Sequence, residues 1–156
     1  DNRGEIATLD GNAPWNAFEQ FVYPCGEQGS SAYELDFNPA NNKLYVACAP
    51  SGSVNRAAIF QASAGGLTKL AQTPIGAGGG DGGGGVAVNP ATGNVFFTNS
   101  DANSVSVISG STDAVIATLP TGINPFGVAV DPATGWVFVV NRGSNELTAI
   151  HDVFEP

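Results

Sequence analysis

The stretch Gly85 to Leu119, GVAVNPATGNVFFTNSDANSVSVISGSTDAVIATL, decides how this 156-residue chain is read, because much of it is written again downstream. From Gly127 the chain runs GVAVDPATGWVFVVNRGSNELTAI, and Pro132 falls 42 residues after Pro90. Under that shift Gly85, Val86, Ala87, Val88, Ala91, Thr92, Gly93 and Asn99 meet identical residues at Gly127, Val128, Ala129, Val130, Ala133, Thr134, Gly135 and Asn141. A period of this size signals a repeat architecture.

A more worn third copy lies upstream, where Leu35 to Cys48, LDFNPANNKLYVAC, aligns with Val86 onward and Pro39 precedes Pro90 by 51 residues. Loops must absorb the difference in spacing. The central copy resolves into four short apolar runs, Val86–Val88, Val95–Thr98, Val105–Ile108 and Val115–Leu119. These are rich in β-branched and aromatic residues, and the Asn-Pro-Ala-Thr-Gly, Asn-Ser-Asp-Ala-Asn-Ser and Ser-Gly-Ser-Thr-Asp segments between them supply reversal chemistry. No stretch sustains a helical period. Four antiparallel strands in about 40 to 45 residues is one blade of a β-propeller.

The segments Phe96-Phe97-Thr98-Asn99, Phe138-Val139-Val140-Asn141 and, more weakly, Tyr45-Val46-Ala47-Cys48 resemble the Tyr-Val-Thr-Asn signature of the YVTN class of propeller repeats. That class is related to the NHL and lactonase-like propellers. The G-V-A-V-[DN]-P run before the second and third signatures is similar to the family's inner strand. The resemblance covers about two thirds of the chain. It implies the architecture and a leaning toward the cell exterior, and it transfers no catalytic residue.

Five basic against fourteen acidic residues give a net charge of −9, spread through the turns. A polyanion is repelled at long range by such a surface, so nucleic acid is not an expected partner. No signal-like or membrane-spanning run is present, and membrane insertion is not expected. Without any Met, the chain reads as a processed secreted product or an excised fragment. Cys25 and Cys48 are its two cysteines. With no Cys-x-x-Cys and a single His, a disulfide is the expectation, worth roughly 3 kcal/mol in the chain-entropy model; two unpaired buried thiols are the alternative.

In chain order, residues 1–11 form a lone outer strand, since Ile6-Ala7-Thr8-Leu9 repeats Ile116-Ala117-Thr118-Leu119. Residues 12–32 are a connector with an insertion, 33–75 the first blade, 76–84 a glycine-rich connector, 85–121 the second blade and 122–156 an incomplete third. The whole is a single domain. The insertion carries Trp15, Phe18, Phe21 and Tyr23, a packing cluster or a ligand site. The glycine-rich run lacks the Gly-Lys-Ser/Thr ending and the following helix of a phosphate loop. Asp81, Asp101, Asp113 and Asp131 recur in turns without the Asp-x-Asp-x-Asp spacing of a calcium loop. His151, on a third strand, is placed away from any propeller axis, and no Gly-x-Ser-x-Gly elbow occurs. Neither cofactor, metal nor catalytic residue is expected.

The expected fold is therefore all-β, with strands counted 1+4+4+3 over about three blades and completed by exchange between chains. Glu5, Ile6, Ala7, Thr8 and Leu9 of one copy would lie beside Leu147, Thr148, Ala149, Ile150, His151 and Val153 of the next, because a bare edge is an aggregation hazard. Such a heterologous contact either closes into a ring or propagates as a fibre. The expected function is a non-enzymatic secreted or cell-surface structural module whose partners are copies of itself. Two alternatives stand beside it. One is a propeller that binds glycans or another surface protein, and the other is part of a lactonase- or lyase-type enzyme. A longer propeller from which this chain is an excerpt also fits the strand count.

Overall fold

A computed structural model describes residues 6–9, 18–26, 30–50, 54–76 and 84–154. Among these residues there is no helix, and the extended segments are β1 (Ile6–Leu9), β2 (Phe18–Val22), β3 (Ser30–Asn38), β4 (Lys43–Pro50), β5 (Asn55–Ser63) and β6 (Gly66–Gly76), then β7 (Val86–Val88), β8 (Asn94–Asn99), β9 (Ser104–Ser109), β10 (Val115–Pro120), β11 (Pro125–Asp131), β12 (Trp136–Asn141) and β13 (Glu146–His151). They form three antiparallel sheets in simple meander order, β3-β4-β5-β6, β7-β8-β9-β10 and β11-β12-β13, and a small β1-β2 pair. The four apolar runs of the central copy are the four strands of the second sheet.

One expectation is corrected. Ile6–Leu9 is a strand, but it is not alone: it pairs antiparallel with β2, Ile6 opposite Val22 and Leu9 opposite Phe18. The aromatic insertion contributes that partner, so the strand count opens with two.

The repeated Asn-Pro-Ala turn has a local cause. The side-chain oxygens of Asn38, Asn89 and Asp131 accept hydrogen bonds from the N–H of Ala40, Ala91 and Ala133 at 2.9, 3.0 and 3.0 Å. Each turn then closes through a left-handed residue at one aligned position, Asn42, Gly93 and Gly135, with φ of 55, 80 and 75°. Asn and Gly are the residues that adopt this region at least cost.

Alternation along the second strand of each sheet sends successive side chains to opposite faces. In the first sheet Tyr45 and Ala47 pack with Ala57 and Ile59 against Val95 and Phe97 of the second. In the second, Phe96 packs with Val105 and Val107 against Val137 and Val139 of the third. Blade thus stacks on blade with the same pair of faces at each seam. A further cluster, Leu44, Val46, Cys48, Ala58 and Phe60, lies on the other face of the first sheet beneath Val22 and Cys25.

Candidate assembly surface

Each seam carries a polar joint as well as an apolar one. In the first turn, Lys43 Nζ forms an ion pair with the Asp113 carboxylate at 2.8 Å and donates to Gly110 O at 3.0 Å; Asn41 Nδ2 donates to the same carbonyl at 3.2 Å. In the second turn, Asn89 Nδ2 and Thr92 Oγ1 each donate to Asp152 Oδ2 at 2.6 Å, and Asn94 Nδ2 donates to Asp152 Oδ1 at 2.8 Å. Asp152 is buried. A carboxylate accepts only, so three aimed donors are what its burial requires. Gly110 and Asp152 occupy equivalent places, because each donates its N–H to the left-handed residue of its own sheet's turn, Gly93 or Gly135, at 3.1 and 2.8 Å. The rule is that the first turn of one blade holds the end of the third strand of the next.

The third turn has the same backbone and different chemistry. Asp131 replaces Asn, and Trp136 stands where Lys43 and Asn94 stand. The Thr134 hydroxyl donates to the Asp131 carboxylate at 2.7 Å. That bond, followed by the Ala133 N–H, holds the exposed carboxyl below its ordinary range.

Beside this turn the face that the first two sheets bury is open. Phe126, Trp136, Phe138, Val140 and Leu147 are all more than two-fifths exposed. The Arg142 guanidinium lies 5.3 Å from the centre of the Phe126 ring, and the Trp136 ring is 5.1 Å from that of His151. A shallow cleft of about 320 Å³ opens where Val140 and Arg142 meet Glu146 and Leu147. The outer edge of β13 has no strand beside it among the described residues.

At the opposite end, the segment from Val22 to Cys25 covers only part of the first sheet. Lys69 Nζ donates to Pro24 O at 3.0 Å and Gln72 Nε2 donates to Cys25 O at 3.1 Å, tying that segment to β6. Burial, with Arg56 nearby, lowers the Lys69 pKa. On the inner strand β3, Leu35 and Phe37 remain exposed on the same face as Leu44 and Val46. The alternating Glu34 and Asp36 accept hydrogen bonds from the N–H of Val86 and Val88, at 3.2 and 2.8 Å, at the inner edge of the second sheet.

The cysteines are bonded to each other, Cys25 to Cys48. Cys48 stands where Asn99 and Asn141 stand in the other copies. There the asparagine is a clip: Asn99 Nδ2 donates to Ser106 Oγ at 2.9 Å and Asn141 Nδ2 to Thr148 Oγ1 at 2.8 Å. Each amide also lies against a glycine, Gly76 or Gly122, whose missing Cβ would come within 2.7 Å of it. The first blade has a disulfide at the place of this clip. Disulfides belong to oxidising compartments. Among the described residues there is no helix long and apolar enough to cross a membrane.

Of the expected interface residues, Glu5 lies outside the described residues and Ile6 to Leu9 form β1. On β13, Leu147 and His151 are exposed, Thr148 is engaged by Asn141, and Ile150 packs into the seam between the second and third sheets. Val153 is exposed just beyond β13, while Ala149 lies opposite Phe138. β1 and β13 belong to different sheets of the chain. Of the aromatic cluster, Trp15 lies outside the described residues, Phe18 and Phe21 are on β2, and Tyr23 is exposed. Asp81 is likewise outside, and Asp113 is committed to Lys43. Among the described residues no group of three His, Cys, Asp or Glu is placed to hold a metal ion. Sequence reading missed Asp152 and the Asn89, Thr92 and Asn94 donors; a buried acid beyond the last recognised strand leaves no local pattern.

No family model matches the chain, and no curated protein is similar to it. Solved structures are. A candidate 6-phosphogluconolactonase from Bacteroides uniformis superposes with a TM-score of 0.76 at 17% identity, over 94% of this chain and 44% of that one. Kuenenia stuttgartiensis hydrazine synthase gives 0.68 at 18%, over 86% and 47%. A chain of a nidogen/laminin complex gives 0.61 at 17%, over 96% and 55%. The chain is therefore built from β-propeller blades and spans about half the length of these neighbours. At such identities the likeness speaks for the fold alone.

Proposed function

We propose that this chain is an extracellular structural module that assembles head to tail with copies of itself, the open third sheet of one copy meeting the first sheet of the next. The observation that carries the reading is the unpartnered face of Phe126, Trp136, Phe138, Val140 and Leu147, on the side that both preceding sheets bury against a following blade. An exposed apolar sheet face beside an unpaired edge is an interaction surface or an aggregation liability.

The two ends are complementary. The third sheet presents an open face and the bare edge of β13. The other end presents the exposed inner half of the first sheet, Leu35 and Phe37, and β1, which among the described residues is paired on one edge only. Adding β1 of a second copy beside β13 gives the third sheet the fourth strand that the other two possess. Face burial and strand addition then act together. A heterologous contact of this kind either closes into a ring or propagates as a fibre.

Light scattering across a dilution series tests this. The wild-type chain is expected to associate in a concentration-dependent way. Phe138→Glu, on an exposed site, and deletion of residues 1–10 are each expected to leave a folded, disulfide-bonded monomer. A wild-type chain that stays monomeric at every concentration, or a deletion variant of unchanged mass, overturns the proposal.

A further inference from the structure

We infer that the third turn selects its partner by charge, and that the segment it receives is Ala62 to Gly65 at the end of β5 in a second copy. The inference rests on the head-to-tail reading above and says which strand end meets which turn.

Within the chain, the joint is made twice by one rule. The first turn presents Asn41 and Lys43 and receives Gly110 and Asp113, while the second presents Asn89, Thr92 and Asn94 and receives Asp152. Both turns offer donors, and both take an acidic strand end. The third turn offers Asp131, an acceptor, with Trp136 in place of the Lys or Asn donor. Its carboxylate is already engaged by the Thr134 hydroxyl and the Ala133 N–H, at 2.7 and 3.0 Å, which stabilises the anion. An arriving acid would face this anion with no amide or ammonium to bind it, and like charges brought together in an interface weaken it.

The chain has three segments at the arriving position, recognised by a shared backbone bond. The N–H groups of Ala62, Gly110 and Asp152 donate to the carbonyls of Asn42, Gly93 and Gly135 at 2.9, 3.1 and 2.8 Å. In sequence these segments read Ala-Ser-Ala-Gly from Ala62, Gly-Ser-Thr-Asp from Gly110 and Asp-Val-Phe-Glu from Asp152. Only the first lacks a carboxylate. It belongs to the first sheet, which among the described residues has no preceding four- or three-stranded sheet to hold it. Ser63 adds a hydroxyl that can turn toward Asp131; in the isolated chain it donates to Gly66 O at 3.3 Å. The acidic ends are excluded, so the third sheet meets a first sheet and the assembly has one polarity.

A charge-reversal cycle read by light scattering and sedimentation tests the assignment. Ala62→Asp should raise the dissociation constant about tenfold or more, whereas the neutral Ala62→Asn should associate like the wild type. Asp131→Asn restores the amide of the second turn, so the double variant with Ala62→Asp should recover association to within about threefold of the wild type by the non-additivity of residues in contact. An Ala62→Asp chain that associates normally, or a double variant no tighter than the single one, overturns this assignment and leaves head-to-tail assembly standing. A wild-type chain that never associates overturns both.

Discussion

Phe96 and Phe138 are the same residue in successive copies and have opposite surroundings: Phe96 is fully buried between the second and third sheets, and Phe138 is 43% exposed on the far side of the third. The cause is the neighbouring sheet, present over Phe96 and missing over Phe138, since the register within the two blades is the same: Phe96 pairs with Val107 and Phe138 with Ala149. Truncating the two side chains therefore separates folding from the proposed assembly. Phe96→Ala should destabilise the monomer by about 3–5 kcal/mol in urea unfolding, by lost burial and an unfilled cavity. Phe138→Ala should cost the monomer no more than about 0.5 kcal/mol, as exposed sites usually do, and weaken association instead. Equal losses of stability would contradict the assigned faces.

Asp152 joins the third sheet to the second turn through Asn89, Thr92 and Asn94. Removing it leaves three donors facing each other without their acceptor. Asp152→Ala should lower stability by about 3 kcal/mol, on the scale of hydrogen bonds to a charged group. For a chain of this size that corresponds to a fall in Tm of roughly 6–12 °C in calorimetry. A shift under a degree would mean that water replaces the carboxylate without loss.

Reduction of Cys25–Cys48 should loosen the Val22–Cys25 segment on the first sheet, because the Lys69 and Gln72 hydrogen bonds to Pro24 and Cys25 and the packing of Val22 on the sheet then act without the covalent link. Cys25→Ser should cost about 3 kcal/mol, the loop-closure value for a bridge of this span. Hydrogen exchange should quicken at Leu44, Val46 and Phe60 beneath the segment and stay slow at Val105 and Val107. Uniform quickening would show that the first sheet does not open separately.

The Asp131 carboxyl titrates below the ordinary value of about 3.9, chiefly through the Thr134 hydroxyl and then the Ala133 N–H. A depressed folded-state pKa adds stability above the unfolded value and loses it as the pH falls through the folded one. Thr134→Val should move the Asp131 pKa upward in an NMR titration, toward the unfolded value, and reduce the loss of stability on acidification. An unmoved titration would place the cause elsewhere than in Thr134.

Much of this molecule was legible along the chain. The Asn-Pro-Ala turns, their left-handed closing residues and the apolar runs between them act over three or four neighbours, and a strand declares itself by residues that are contiguous. Repetition then multiplied a local pattern into sheets, and the pair Cys25 and Cys48 had few other fates open to it.

Contacts that join distant stretches were not legible. Nothing near Ile6 says that its strand partner is the aromatic insertion, since pairing across a loop depends on which edges lie close after collapse. Nothing near Asp152 says that its donors lie about sixty residues earlier in the second turn, as the separations of 63, 60 and 58 residues show. Whether Phe138 is buried or exposed is likewise not a property of its strand. Hydrophobicity specifies that such a side chain should leave water; the stacking of one sheet on the next specifies which of them has already done so.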